Sequence, residues 1–119
     1  MKTSELTGSA LNYAVILGLF PRAFDEKPSI SDIVKNYPYS TSWALGGPLI
    51  EREKIHTYSY ELDDIGAANP GWCSQVFEYN LEQTGPTPLI AAMRCFVAYR
   101  LGNEVEVPNE LIKENTNCQ

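Results

Sequence analysis

Residues 85–102, GPTPLIAAMRCFVAYRLG, constrain the fold more than any other stretch of the chain. Thr87 is placed to cap a helix, Pro88 occupies its first position and Gly102 follows its end, which predicts a helix over 88–101. One side of this helix carries large apolar side chains and another carries small ones: Leu89, Met93, Phe96, Val97 and Leu101 against Ala91, Cys95 and Ala98. We therefore expect it to pack on a sheet while a second helix approaches closely.

The other segments of the sequence predict the remaining helices and strands of a domain that contains both. Helices are expected over 9–19 and from Ser40 onwards, separated by a surface connection at 21–38 with one helical turn at 31–35. Residues 54–61 and 72–79 are rich in strand-favouring side chains and flank a turn-rich connector, which predicts an antiparallel pair. Val105 and Val107 are expected to add an edge strand before a polar tail over 109–119.

Size and composition favour one domain over residues 1–119. The chain is 44% apolar and 11% aromatic, which is enough for a core without disulfides or metal. The predicted fold class is α/β of the α+β kind, a small, mostly antiparallel sheet covered by three helices. The cysteines Cys73, Cys95 and Cys118 are odd in number and lack a CxxC pair, a pattern typical of free thiols in a reducing compartment.

Charge and hydropathy exclude several function classes. The net charge is -6, and residues 61–119 hold nine acidic side chains against three basic ones. Without a run of Lys and Arg, binding to duplex nucleic acid is not expected. No stretch approaches the roughly 20 apolar residues of a membrane span, and no cleavage pattern follows the apolar segment near the start. A cytoplasmic protein is expected.

The double glycine Gly46-Gly47 has two interpretations. It matches neither the dinucleotide fingerprint nor the phosphate loop that requires GK before Ser or Thr. It serves either as a bend or close helix contact, or as a backbone surface open to a ligand. With Pro48 beside it, the segment is expected to form a kinked helix or a turn followed by a new helix.

Catalytic and metal-binding patterns are weak. His56 is the single histidine, and Cys73 on the partner strand is the one nucleophile that it could meet in a cysteine-dependent enzyme. A buried strand cysteine is more often an inert small hydrophobe. Asp63 and Asp64 lack the alternating oxygen ligands of a calcium loop. We therefore expect no catalytic residues, metal or cofactor.

Aromatic residues offer a binding surface instead. Seven tyrosines and two tryptophans are present, several of them in irregular segments beside glycine and arginine. Such groups suit stacking on a flat ligand or anchoring a protein partner. The candidate site combines side chains for stacking, backbone for close approach and guanidinium groups for charge: Tyr39 and Trp43, Gly46 and Gly47, and Arg52 or Arg94.

Three blocks carry a family resemblance: MKTSELTG, YSTSWALGGPLIERE and GPTPLIAAMRCFVAYRLGNEVEVP. They resemble the ninX-type small proteins of tailed bacteriophages. The chain is also similar to a small phage domain described as an ABA sandwich, a sheet between helices. The resemblance implies a phage or prophage origin and an intracellular setting, and it supplies no catalytic residues.

The expected function is that of a non-enzymatic phage accessory protein that binds, in the sharper form by sequestering a small nucleotide-like signal of host defence. The alternative is an interaction module that docks on a host or phage protein through the acidic C-terminal half, or that forms a homo-oligomer through the small side chains of the helix at 88–101, Ala91, Cys95 and Ala98. A cysteine-dependent enzyme is the third interpretation.

Overall fold

A buried helix near the C-terminal end organises the fold. The computed structural model describes residues 1–26, 29–60 and 71–112. The helices are α1 (Gly8–Leu19), α2 (Ile30–Asn36), α3 (Trp43–Glu53) and α4 (Pro88–Leu101), and the strands are β1 (His56–Tyr60), β2 (Gly71–Val76) and β3 (Leu81–Gly85). Single 3₁₀ turns lie at Thr3–Glu5 and Phe77–Tyr79. The mixed α+β class, with a small antiparallel sheet and covering helices, is confirmed.

Helix α4 begins and ends where its sequence signals predict. The Thr87 hydroxyl accepts a hydrogen bond from the N–H of Ile90 at 3.1 Å, and Gly102 follows the helix with a φ of 94°. Between Leu89 and Ala98 every side chain except Ile90 is buried, because the helix is covered on several sides. It lies across the sheet, mostly over β3 and β2, and it also contacts α1 and α3.

The sheet is antiparallel, with β2 between β1 and β3. Tyr58 pairs with Cys73, and Cys73 pairs with Thr84, which fixes the register of all three strands. The predicted pair of strands is confirmed. Strand β3 was not predicted, because LEQTG offers one large apolar residue and a glycine to the core face, and pairing with β2 supplies what its propensity lacks.

The layers follow one another as sheet, α4, and then α1 and α3. Within the described residues this order places a helix in the middle. The physical reason is that α4 is apolar around most of its circumference, whereas Glu82 and Thr84 on the opposite sheet face are exposed.

Three expectations outside the sheet need correction. Residues 30–36 form two turns of helix, and Val34 is 1% exposed, so this part of the predicted connection belongs to the core.

Residues 103–105 pair with residues 1–3 near the start of the chain and not with the sheet edge. Residues 109–112 are helical with Leu111 fully buried, so the fold continues beyond residue 108. Core packing of Val105, Val107 and Leu111 against the domain explains both C-terminal changes.

Candidate functional site

The six residues of the predicted binding constellation do not form one site. Trp43 and Arg52 lie at opposite ends of α3, which is a single continuous helix through Pro48. A rise of 1.5 Å per residue separates their backbones by roughly 14 Å along the helix axis. Trp43 is 54% exposed and Tyr39 is partly buried before the helix. Burial raises the pKa of the Tyr39 hydroxyl.

The two glycines have different surroundings. A Cβ atom at Gly46 would lie 2.5 Å from Cδ1 of Leu89 and 3.2 Å from the carbonyl oxygen of Tyr39. A Cβ atom at Gly47 would meet nothing within 4 Å. The space beside Gly46 is therefore filled by α4, and the close approach predicted there is that of a helix instead of a ligand. Gly47 alone keeps an open backbone surface.

Arg94 lies inside the fold. It is 8% exposed, and its Nε and Nη1 donate to the carbonyl oxygens of Leu6 and Thr84, both at 2.8 Å. Burial lowers the pKa of the guanidinium. These bonds tie α4 to the segment before α1 and to β3. The geometry gives Arg94 a structural position.

A cleft with an estimated volume of about 350 Å³ lies at the C-terminal end of α3. It is bounded by the end of α3, the start of β1, the 3₁₀ turn after β2 and the end of α4. Its size falls within the range of small-molecule sites. We call it the tyrosine cleft, and its lining residues are Arg52, Glu53, Lys54, His56, Val76, Glu78, Tyr79 and Tyr99.

Two tyrosine rings form one wall of the tyrosine cleft. The ring centroids of Tyr79 and Tyr99 are 4.8 Å apart, with an interplanar angle of 44°. The Arg100 guanidinium lies 5.7 Å from the Tyr99 centroid and 5.3 Å from that of Phe96. A hydrogen bond with Tyr99 raises the pKa of Tyr79, whose side chain is 55% exposed. An exposed ring supported from behind by another aromatic ring and a cation is suited to stacking.

Charged side chains of both signs also line the cleft: Arg52, Glu53, Lys54 and Glu78. Arg52 Nε donates to Glu53 Oε2 at 2.8 Å, and Arg100 Nη2 lies 3.6 Å from the same oxygen. Lys54 follows α3 with φ 54° and ψ 49°, the left-handed conformation that favours glycine. A lysine in this conformation costs the fold about 1 kcal/mol relative to glycine. Lys54 lines the cleft in spite of this local conformational penalty.

Sequence reasoning missed Tyr79, Tyr99 and Lys54. The tyrosines lie on different elements, and they meet only because α4 packs over the sheet. The sequence does indicate that the position of Lys54 is special, since it directly follows the last helical residue, where a glycine is common. The pattern does not indicate, however, that the chain adopts the left-handed conformation there.

The proposed partners His56 and Cys73 lie on the same sheet face but are not paired across the strands. His56 pairs with Gln75, and Cys73 pairs with Tyr58. Burial raises the pKa of the Cys73 thiol, the direction opposite to that of an activated nucleophile. Asp63, Asp64 and Cys118 lie outside the described residues.

Residues 2–100 match the family model described as Bacteriophage P22, NinX. The chain belongs to this NinX family. The match spans α1 to α4 almost completely, so the tyrosine cleft lies within the part of the chain shared with the NinX family. A comparison with curated proteins found no match.

Neither a membrane span nor a metal-binding cluster is found in the described part of the NinX-family fold. None of its helices has the length and apolar character needed to cross a membrane. Within residues 1–26, 29–60 and 71–112, no three His, Cys, Asp or Glu side chains converge in a way that could hold a metal ion. The expected lack of a cofactor stays a prediction.

Proposed function

We propose that this phage protein acts inside the infected cell as a binding protein without catalysis, and that the tyrosine cleft takes a small, ring-bearing anionic ligand of the nucleotide class. A host defence signal is the finer form of this proposal. The observation that carries it is the convergence of the supported Tyr79 ring with Arg52 and Lys54 around one cleft. Stacking would orient the ring of the ligand, and the cations would attract its acidic group.

The penalty at Lys54 supports this location. Residues held in unfavourable backbone conformations are concentrated at functional sites, where the side chain is retained for its chemistry. A glycine at this position would fit the backbone better, but it would remove one of the two cations, Arg52 and Lys54, that line the cleft.

Calorimetry against a panel of nucleotides and cyclic nucleotides tests the proposal. We expect heat with at least one member, and we expect Tyr79→Ala and Arg52→Ala to weaken binding about tenfold or more. Tyr37→Ala is the matched control, because Tyr37 is 49% exposed and does not line the cleft. A folded sample that gives no heat with any member would reject the proposal.

The second candidate is docking of a protein on the acidic C-terminal half. All five acidic residues described between 71 and 112 are exposed: Glu78, Glu82, Glu104, Glu106 and Glu110. Complementary basic surfaces associate with such a face rapidly and in a salt-sensitive manner. The test is the capture of a protein partner from infected cells by this protein. Docking is favoured over ligand binding if the partner is lost at high salt and with the variant Glu106→Lys/Glu110→Lys, but is still captured by Tyr79→Ala.

A further inference from the structure

The charges around the tyrosine cleft define the class of ligand more narrowly. Arg52 and Lys54 contribute two positive charges, and Glu53 and Glu78 contribute two negative ones. A site built for di- or triphosphates presents a clear excess of cations and backbone donors. The lining of this cleft is formally balanced apart from His56.

Glu53 is the residue that creates this balance. Its side chain is 15% exposed, and one carboxylate oxygen lies between Arg52 at 2.8 Å and Arg100 at 3.6 Å. The position is fixed, since Arg100 stacks on Phe96 and Tyr99 and its Nη1 lies 3.3 Å from the carbonyl oxygen of Gly18, to which it donates. An anion that approaches Arg52 therefore also approaches a fixed, partly desolvated carboxylate.

We infer that Glu53 sets the charge selectivity of the tyrosine cleft, so that its ligand is an aromatic ring compound with a single negative charge, such as a phosphodiester, and not a polyphosphate. The inference rests on the proposed function. Each additional negative charge on the ligand is attracted by Arg52 and Lys54 but repelled by Glu53 and Glu78, which line the same cleft. Affinity therefore does not rise with the charge of the ligand.

A ligand series with one base tests the inference: adenosine, cyclic AMP, AMP and ATP. Cyclic AMP carries one negative charge, whereas the phosphate of AMP carries about 1.5 to 2 at neutral pH. For the unaltered protein we expect cyclic AMP to bind at least as tightly as AMP and ATP. An affinity that rises steadily from adenosine to ATP would overturn the inference, and this measurement needs no variant.

Glu53→Gln removes the charge and keeps an acceptor oxygen for Arg52. We expect the affinity for cyclic AMP to rise about threefold, that for AMP to rise more, and that for adenosine to stay unchanged. Glu51→Gln is the matched control, because Glu51 is exposed on the same helix and does not line the cleft. Thermal unfolding of both variants confirms that they are folded.

The outcomes separate this inference from the proposed function. If Glu53→Gln changes the affinity for adenosine, cyclic AMP and AMP by the same factor, the role of Glu53 is overturned. The cleft then remains a binding site. An absence of binding by all four compounds and by the wider nucleotide panel would overturn both.

Discussion

Gly46 of α3 lies directly against Leu89 of α4. A Cβ atom at Gly46 would lie only 2.5 Å from Cδ1 of Leu89, a distance that real side chains do not adopt. Leu89 is 2% exposed, so it has little room to move aside. The contact positions α3 along α4, and it thereby places Arg52 and Glu53, at the end of α3, beside Tyr99 and Arg100 at the end of α4.

The adjacent glycines predict opposite effects of the same substitution. We expect Gly46→Ala to lower the free energy of unfolding by about 1–2 kcal/mol, since overpacking outweighs the gain in helix propensity. Gly47→Ala should raise it by about 0.5–1 kcal/mol, because the added methyl group meets nothing and the unfolded chain loses freedom. Urea denaturation of the two variants measures both changes. Equal effects would show that Gly46 is not a packing position.

The buried position of Arg94 predicts that its substitution affects the free energy of unfolding and not ligand binding. Arg94→Met removes the donors to Leu6 and Thr84 and should lower the free energy of unfolding by about 2–4 kcal/mol, because one buried and one partly buried hydrogen bond are lost. Arg22→Met, at a side chain that is 92% exposed, should change it by less than about 0.5 kcal/mol. The guanidinium donates to the two carbonyls from two separate nitrogens, whereas an ammonium group has only one nitrogen. Full stability in Arg94→Lys would therefore contradict the proposed role of the two-nitrogen geometry.

The local signals in the sequence were sufficient for the long elements. Thr87, Pro88 and Gly102 predicted α4 correctly because caps act within a few residues of the chain. Strand β3 has no such signal, and its pairing with β2 is a tertiary effect. Leu111 was assigned to a tail because a single apolar residue among polar neighbours shows no periodicity, although it is fully buried.

The candidate site was less predictable than the fold. Arg52 is exposed on α3, but Gly46 and Arg94 are used in packing, which depends on neighbours distant in sequence. Tyr79 and Tyr99 are brought together by the crossing of α4 over the sheet. Sequence patterns describe single helices and strands, so they cannot reveal a pair of side chains from two elements.

Cys95 predicts a loss of stability at alkaline pH. Burial raises the pKa of its thiol from 9.0 to about 12, so the folded state holds the proton more tightly than the unfolded state. This contribution is complete below the unfolded pKa of 9.0, decreases above it, and is lost as the pH rises through the folded pKa of about 12. The expected slope is about 1.4 kcal/mol per pH unit.

Urea denaturation across this pH range measures the effect. Cys95→Ala should show a shallower decline in the free energy of unfolding than the unaltered protein. Val97→Ala is the control, because it removes buried apolar volume at a neighbouring position and should lower stability equally at every pH. Parallel curves for the unaltered protein and Cys95→Ala would show that the thiol does not titrate differently in the two states.

Lys54 predicts that stability and binding change in opposite directions. Lys54→Gly relieves the left-handed conformation and should raise the free energy of unfolding by about 1 kcal/mol. The same variant loses a cation of the tyrosine cleft, and the affinity for the nucleotide that binds best should fall about threefold to tenfold. Lys54→Asn separates the two causes, since asparagine tolerates this conformation and also removes the charge. It should therefore weaken binding as much as glycine does, with a smaller gain in stability. If both variants keep full affinity, Lys54 does not contact the ligand, and its backbone conformation belongs to the helix end alone.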